Sequence, residues 1–462
     1  MSVPQQPTRG TSALALVHNQ SPTVDPERIW DARPRLRHIH DFARAQMACP
    51  WATLGVVLTR VVAATTPQIA LPDFIGSYGT LNLYLGLVGG SAAGKGTATS
   101  TAEDAVPVGP ITKAGIGSGK GIVHLFMRRE KAEQVQHNNR ALLDVPEVDT
   151  FAGLGRRSGN ILLPELRKAW SGEALGATNA DKDKTLNVDR HSYRLCLILG
   201  IQPTRVGVLL DDAGGGTPQR FLWLPAHDPD APSETPPRLP PQPWTLSPPP
   251  TSARRVVSAN GIGLVILDVC GGAEDTTRAI RLAHLRGQGG DLDGHGNYTR
   301  LKVAGAFGLL DQRYSITEDD WTLSELIMAK SDATRATVMA EMAEATAQAN
   351  AAKGKADAAR AVITRTVLDD HDVKRVGRTL LRKVGEAGRV GLSHAELRRV
   401  LPSRDRDYFE DAIERQIGAG MIETERSEKG TRYRLIGGGS DPAEGRGGQV
   451  DMSTPPCATG CP

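Results

Sequence analysis

The sequence contains little cysteine and carries almost no net charge. Five cysteines are spread over 462 residues, and their spacing matches neither a metal-ligand motif nor a disulfide framework, which indicates a reducing cytoplasm. The 55 basic residues nearly balance the 52 acidic ones, so the formal net charge is +3. Any surface that binds nucleic acid must therefore be local, because the chain as a whole is not strongly basic.

Long apolar runs are also missing. No uninterrupted apolar stretch reaches the ~18–20 residues that span a bilayer, and the N-terminus has no signal-peptide pattern. We therefore expect a cytoplasmic protein that does not bind membranes. The length is sufficient for two or three domains.

Glycine, in contrast, is abundant, and one glycine-rich stretch is the most informative part of the chain: Leu81–Thr99, LNLYLGLVGGSAAGKGTAT. The apolar run Leu83–Val88 predicts a buried strand, and a helix is expected after the turn. A GxxxxGK motif between a strand and a helix is typical of the phosphate-binding loop of nucleoside triphosphatases. Its backbone N–H groups surround phosphate oxygens, and the helix N-terminus adds a positive dipole. We predict that ATP binds to Gly89, Gly90, Ser91, Ala92, Ala93, Gly94, Lys95, Gly96 and Thr97.

The lysine of this motif is expected to reach the β- and γ-phosphates, and it is Lys95. The next position usually carries a Ser or Thr whose hydroxyl holds Mg²⁺, but here it is Gly96. Thr97 is the nearest hydroxyl and is the predicted metal ligand. The alternative is a glycine turn that binds no ligand.

A carboxylate segment follows at residues 141–151, ALLDVPEVDTF, and it resembles the strand ending in Asp-Glu that AAA+ ATPases place beside the phosphate loop. Hydrolysis requires one carboxylate that orients water and another that supports the metal. The resemblance implies that Glu147 is the base. The usual metal-side aspartate falls on Pro146, so we predict that Asp144, two residues earlier, replaces it as a metal ligand. The alternative is a solvated acidic turn.

A second glycine-rich segment, AGIGSGKG at residues 114–121, also contains a Gly-Lys pair. No convincing apolar strand precedes it, and Gly121 follows the lysine. Three interpretations stay open for it: a second phosphate loop, a pore loop whose Lys120 contacts nucleic-acid phosphates, or a simple turn. We list Lys120 among the predicted DNA contacts.

Three further residues match AAA+ positions. Gln202 follows an apolar strand, where AAA+ proteins carry the polar sensor residue that positions the attacking water. Arg220, in GGGTPQRFLWLP, resembles the arginine that minichromosome-maintenance-type helicases extend to the γ-phosphate of a neighbouring subunit; the alternative is a structural arginine at a strand start. Arg300 matches the second-sensor arginine of a helical lid.

Taken together, residues 30–330 resemble the helicase half of phage and mobile-element primase-helicase proteins, which have an AAA+-like core. The resemblance implies ATP and Mg²⁺ as cofactors and a homo-oligomeric ring, most simply a hexamer. It also implies single-stranded DNA as a partner, with a primase or replication-initiation protein as a further one.

The expected architecture is α/β: a P-loop NTPase core with a parallel sheet, a helical lid and a C-terminal winged-helix domain. The predicted boundaries are a disordered N-terminus at 1–27, the core at 28–225, a proline-rich linker at 226–253, the lid region at 254–331, a helical connector at 332–365, the winged helix at 366–436 and a disordered tail at 437–462.

The winged-helix prediction depends on a helix-helix-helix-hairpin order near the C-terminus. Its predicted DNA contacts are Arg404, Lys429, Arg432 and Arg434. The third helix, predicted at Arg404–Gln416, also carries several carboxylates, which oppose insertion into a DNA groove. A protein–protein role therefore stays open.

The sequence favours an ATP-dependent DNA helicase or translocase that acts in replication of a phage or mobile element. A regulatory ATP-binding switch in transcription or defence, with a DNA-binding winged helix, is the main alternative. A nucleotide kinase is a third, because GKGT also occurs in adenylate-kinase-like loops.

Overall fold

The computed structural model describes residues 25–131, 133–150, 162–176, 186–210, 215–288, 293–427 and 430–437. The predicted disordered termini lie almost entirely outside these ranges. The chain divides into two compact units, Met1–Ala347 and Gln348–Pro462.

The α-helices within the described residues are short, apart from one that runs from the first unit into the second. They are α1 (Pro34–Ala45), α2 (Pro50–Ala64), α3 (Lys95–Ala105), α4 (Gly119–His124), α5 (Leu162–Ser171), α6 (Gly207–Leu210), α7 (Gly271–Leu285), α8 (Asp293–Leu310), α9 (Glu318–Glu386), α10 (His394–Arg399) and α11 (Phe409–Gly418).

The strands are β1 (Ile69–Ala70), β2 (Tyr84–Val88), β3 (Thr112–Ala114), β4 (Met127–Glu130), β5 (Glu133–Gln136), β6 (Arg140–Val145), β7 (Leu175–Gly176), β8 (Asn187–Val188), β9 (Arg194–Ile201), β10 (Phe221–Pro225), β11 (Arg254–Val257), β12 (Gly263–Ile266), β13 (Asp268–Val269), β14 (Ser315–Ile316), β15 (Leu392–Ser393), β16 (Ile422–Ser427) and β17 (Gly430–Leu435).

The centre of the first unit is a five-stranded sheet in the order β10-β2-β9-β6-β3. Every neighbouring pair is parallel, which confirms the predicted α/β class with a parallel sheet. All residues of β2, β9 and β10 are buried. Burial on both faces explains why these strands are continuous apolar runs in the sequence. Parallel pairing also brings the carboxyl ends of all five strands to one edge.

Two separate apolar clusters cover the two faces of this sheet. Leu85, Leu87 and Leu222 pack into the cluster that contains α2 and the inner side of α3. Tyr84, Leu143 and Trp223 point the other way, into the cluster formed with α4 and α5. The alternation follows from the two-residue period of a strand.

The proline-rich segment 226–253 packs against other parts of the first unit. The Trp244 indole Nε1 donates to the Leu309 carbonyl at 2.9 Å, and the Trp244 backbone N–H donates to the Pro107 carbonyl at 2.8 Å. The segment therefore joins α3 to α8. The following range, 254–331, is predicted as a lid with helices at Asn297–Arg313 and Ile316–Ala329, and the structure has α8 and the start of α9 there. It also contains α7 and strands β11–β14, which the helical-lid interpretation did not include.

The second unit contains the end of α9, then α10, α11 and a three-stranded sheet in the order β15-β17-β16. Its apolar core includes Val376, Leu380, Leu397, Phe409 and Tyr433. The sequence pattern of Ser393 followed three residues later by Glu396 predicts a capping box, and α10 begins with one: the two residues hold each other's backbone N–H groups. The helix predicted from Arg404 begins instead as a 3₁₀ turn, Ser403–Tyr408, and becomes α-helical at Phe409.

Candidate functional site

The glycine-rich turn lies at the carboxyl edge of the central strand β2. The Gly89 N–H donates to the Ile201 carbonyl of β9 at 3.0 Å, which fixes the start of the turn to the neighbouring strand. Gly94 has φ of +82° and is the N-cap of α3, so the chain enters the helix through a conformation that favours glycine. The helix therefore begins at Lys95, and its first N–H groups have no partner within the helix.

Lys95 is folded back over this turn. Its Nζ donates to the carbonyls of Gly89 and Gly90, each at 2.7 Å. Burial lowers the pKa of Lys95, and the negative charge of Glu147 acts against that shift. Two carbonyl groups therefore hold the Lys95 ammonium above the turn, and a phosphate could replace them. The Glu147 carboxylate, on the far side of the cleft, attracts the ammonium electrostatically.

The carboxylates follow β6, which is separated from β2 by β9. Asp144 is the penultimate residue of β6 and Glu147 lies two residues beyond the strand. Burial raises the pKa of Asp144, and the nearby Lys113 ammonium opposes the rise. Burial therefore disfavours the charged form of Asp144 in the protein alone.

Gly200, on the strand between these two elements, lets them approach each other. A Cβ atom at Gly200 would lie 1.8 Å from the Pro146 carbonyl oxygen and 3.4 Å from Cε of Lys95. Any side chain at this position would push the carboxylate segment away from the lysine.

The cleft enclosed by these elements has a volume of about 560 Å³. It brings together most of the predicted nucleotide, metal and catalytic residues, although they come from three segments of the chain. Those that line it are Ser91, Ala92, Ala93, Gly94, Lys95, Gly96, Thr97, Asp144, Glu147 and Gln202.

This cleft is also lined by two residues that the sequence did not single out, Glu103 and Lys113. Glu103, two helical turns after Lys95 on α3, makes an ion pair with Lys113. The eight-residue spacing from Lys95 places Glu103 on the same side of the helix, so helical periodicity could have identified it.

The structure does not bring Arg220 to this edge. It precedes Phe221, which pairs with Tyr84 at the opposite end of β2 from the glycine turn. Arg220 is only 8% exposed; its Nη1 donates to the Gly215 carbonyl at 2.9 Å, and its guanidinium lies 5.3 Å from the Trp170 ring. In this structure the side chain of Arg220 is buried at the start of β10, and its predicted contact with a neighbouring subunit stays a prediction.

Arg300 also lies away from the cleft lining. Its guanidinium lies 3.7 Å from the Trp321 ring, and it donates to Ser324 Oγ at 3.2 Å and to Glu325 Oε2 at 3.0 Å. Burial lowers the pKa of Arg300, and the Glu325 charge opposes that shift. In this structure Arg300 therefore joins α8 to α9 and makes no contact with the glycine turn.

Lys120, in contrast, follows a strand that ends at the carboxyl edge. Ala114, the last residue of β3, pairs with Leu143 of β6. The Ser118 side chain accepts from the Gly121 N–H and caps α4, on which Lys120 is exposed. The second glycine segment thus has a short strand before it, and it lies on the carboxylate side of the sheet.

The predicted DNA contacts of the second unit are largely paired within it. Arg432 Nη1 donates to the carbonyl of Val390 at 3.0 Å, and Arg434 pairs with Glu425 at 2.6 Å. Arg404 is highly exposed. Lys429 lies outside the described residues. The outer side of α11 carries the acidic residues Glu410, Asp411 and Glu414.

A scan against models of protein families found no match, and a search of curated proteins found no similar sequence. Among the residues for which the structure gives a position, no helix is both long enough and apolar enough to cross a membrane.

Proposed function

We propose that the first unit binds ATP at the glycine turn and hydrolyses it, and that the protein uses this hydrolysis to move along or unwind DNA. One observation carries the ATPase proposal: Lys95, Asp144, Glu147 and Gln202 line a single cleft at the carboxyl edge of a parallel sheet. Ligands bind at this edge in open α/β sheets.

Each side chain has a position suited to one task. Lys95 can exchange the Gly89 and Gly90 carbonyls for phosphate oxygens, with the free N–H groups of α3 beside it. Glu147, across the cleft, is placed to orient a water molecule towards the terminal phosphate. Gln202, at the end of the strand between them, offers an amide that can hold the same water.

The cleft also fits Mg²⁺. Thr97 and Asp144 supply a hydroxyl and a carboxylate, and Mg²⁺ prefers oxygen ligands and commonly uses only one or two carboxylates together with phosphates. The poorly solvated charge of Asp144 is consistent with this role. When bound, the ion would neutralise charge on the phosphates.

Support for a DNA motor is less direct. Lys120 is exposed on α4, at the carboxylate side of the sheet, where movement of the cleft could reach a nucleic-acid backbone. The AAA+ resemblance further implies that identical subunits form a ring, as a hexamer, and that single-stranded DNA passes through its channel. A phosphate backbone attracts such exposed lysines without sequence preference.

The test is ATP hydrolysis with and without single-stranded DNA, for the wild type, Lys95→Ala and Glu147→Gln. We expect hydrolysis that rises with DNA, a loss in both variants, and retained ATP binding in Glu147→Gln. Hydrolysis in Lys95→Ala at the wild-type rate would contradict the site. A rate that DNA leaves unchanged would contradict the motor.

A regulatory ATP-binding switch is the second candidate. It is favoured by the second unit, where Arg432 and Arg434 are already paired and α11 is acidic, an arrangement better suited to a protein partner than to a DNA groove. ATP-dependent assembly with no strand displacement would favour this switch.

A further inference from the structure

Part of α9, within the second unit, is left uncovered by the described residues of the chain. Every residue from 349 to 368 is helical and exposed. At 1.5 Å per residue the stretch is about 30 Å long. An isolated helix of this length is only marginally stable in water, because most helical stability in proteins comes from packing against other elements. Residues 349–368 therefore lack the contacts that normally stabilise such a helix.

This stretch also carries large apolar side chains. Val362, Ile363, Val367 and Leu368 lie within seven residues, and each is between 59% and 65% exposed. Ile363 and Val367 are one helical turn apart and share a face. Fully burying one such side chain contributes about 1.5–3 kcal/mol. Single exposed apolar residues are normal on a protein surface, but a group of neighbouring ones indicates an interaction site.

The same stretch is basic. Its only acidic residue, Asp357, pairs with Arg360. No described carboxylate lies within ion-pair distance of Lys353 or Lys355, and Arg365 adds a fourth positive charge. Two copies of this stretch would meet with charges of the same sign, which is unfavourable. Its partner is therefore expected to be both acidic and apolar.

Helix α11, also in the second unit, has such a face. Its inner side packs in the apolar core of that unit. Its outer side exposes Asp411, Glu414 and Ile417, each three residues after the last, and the exposed Met421 follows the helix. Within the described part of the chain, neither Asp411 nor Glu414 has a cationic partner. One unit thus carries two surfaces of opposite charge, both with exposed apolar side chains.

We propose that the basic segment of α9 (residues 349–368) binds the acidic face of α11 (Asp411, Glu414, Ile417 and Met421) in a second copy of this chain. Opposite charge selects this contact over the pairing of two basic segments. The contact would also remove Val362 and Ile363 from water. Each copy offers one surface of each kind, so the same contact can recur between identical subunits. It requires no nucleotide and does not rest on the proposed ATP site.

The test reverses the charge of each surface in the full-length chain, without nucleotide. The first variant is Lys353→Glu/Lys355→Glu on the basic segment, and the second is Asp411→Lys/Glu414→Lys on the acidic face. All four side chains are exposed, so the fold should tolerate the changes, and circular dichroism verifies this. Sedimentation velocity at micromolar concentration measures the mass of each variant alone and of the two variants mixed.

The matched control changes the same amount of charge elsewhere in the second unit. It is Arg378→Glu/Arg398→Glu, two exposed arginines that belong to neither surface. It should associate as the wild type does. An equal loss of association in this control would mean that net charge, and not the proposed contact, governs assembly.

We expect the wild type to self-associate and each charge-reversed variant to associate at least tenfold more weakly, because like charges then face each other. Mixing the two variants should restore association, since each basic surface again meets an acidic one. A monomeric wild type, reversed variants that associate as tightly as the wild type, or a mixture that stays monomeric would overturn the contact. If Lys353→Glu/Lys355→Glu weakens only the binding of single-stranded DNA, measured by fluorescence anisotropy, the basic segment is a nucleic-acid surface and the proposal is likewise overturned.

Discussion

Replacing Gly200 with alanine should destabilise the first unit. The added Cβ would lie 1.8 Å from the Pro146 carbonyl oxygen and 2.7 Å from its carbon, so the obstacle is backbone that no rotamer change can remove. Overpacking a buried site costs about 1–3 kcal/mol. Because the strand and the segment after β6 must separate, we expect a loss in the upper half of that range, about 2–3 kcal/mol in the free energy of unfolding.

The assay is urea unfolding followed by tryptophan fluorescence, with ATP binding measured on the same samples. Binding should also weaken, since the displaced segment carries Glu147 and the new methyl group faces Lys95. Gly96→Ala is the matched control, because a Cβ at Gly96 meets nothing within 4 Å. Its stability should be unchanged or slightly raised. A Gly200→Ala midpoint equal to that of the wild type would refute the close approach of the two segments.

Three further predictions concern carboxylates. Asp320, whose side chain is fully buried, pairs with Arg33 and Arg313. Asp320→Ala should lower the free energy of unfolding by about 3 kcal/mol in thermal or urea unfolding, because it removes the fully buried carboxylate that these two partly buried arginines share. Burial opposes ionisation of Asp320, but its hydrogen bonds outweigh burial and lower the pKa. Its stabilising contribution is therefore present above the usual aspartate pKa and is lost as the pH falls through the lowered value, so acid titration of unfolding should be flatter in Asp320→Asn. Asp144→Asn should stabilise the ligand-free protein at neutral pH, since the raised pKa marks a charge that folding disfavours, and should weaken Mg²⁺-dependent ATP binding. If Asp144→Asn left the stability of the ligand-free protein unchanged, the predicted stabilisation would be contradicted.

Local patterns predicted the parts of the site that depend on local structure. The apolar run before Gly89, the glycines of the turn and the lysine at the helix start are consecutive in the chain, so backbone preference and strand burial determine their arrangement. The capping box of Ser393 and Glu396 was predictable for the same reason, because both partners lie in one turn.

Contacts between distant segments could not be predicted in this way. The sequences around Arg220 and Arg300 resemble AAA+ segments. The positions of the two side chains, however, depend on packing: Arg220 lies against Trp170, and Arg300 lies against Trp321. Lys330 contacts the Trp51 ring and donates to Glu27, which lies 303 residues earlier in the chain. The periodicity of a helix or strand relates only residues that are close in the chain. Contacts between distant residues depend on how the helices pack on the sheet.

The central claim is that the turn at Lys95 binds the phosphates of ATP. Its most direct test is calorimetric titration of ATP with Mg²⁺ into the wild type, Lys95→Ala and Lys120→Ala, since the two lysines follow glycine-rich segments at the same edge of the sheet. We predict that ATP binds the wild type and Lys120→Ala alike and that binding is lost in Lys95→Ala. Equal binding by the wild type and Lys95→Ala, or a loss confined to Lys120→Ala, would contradict the account.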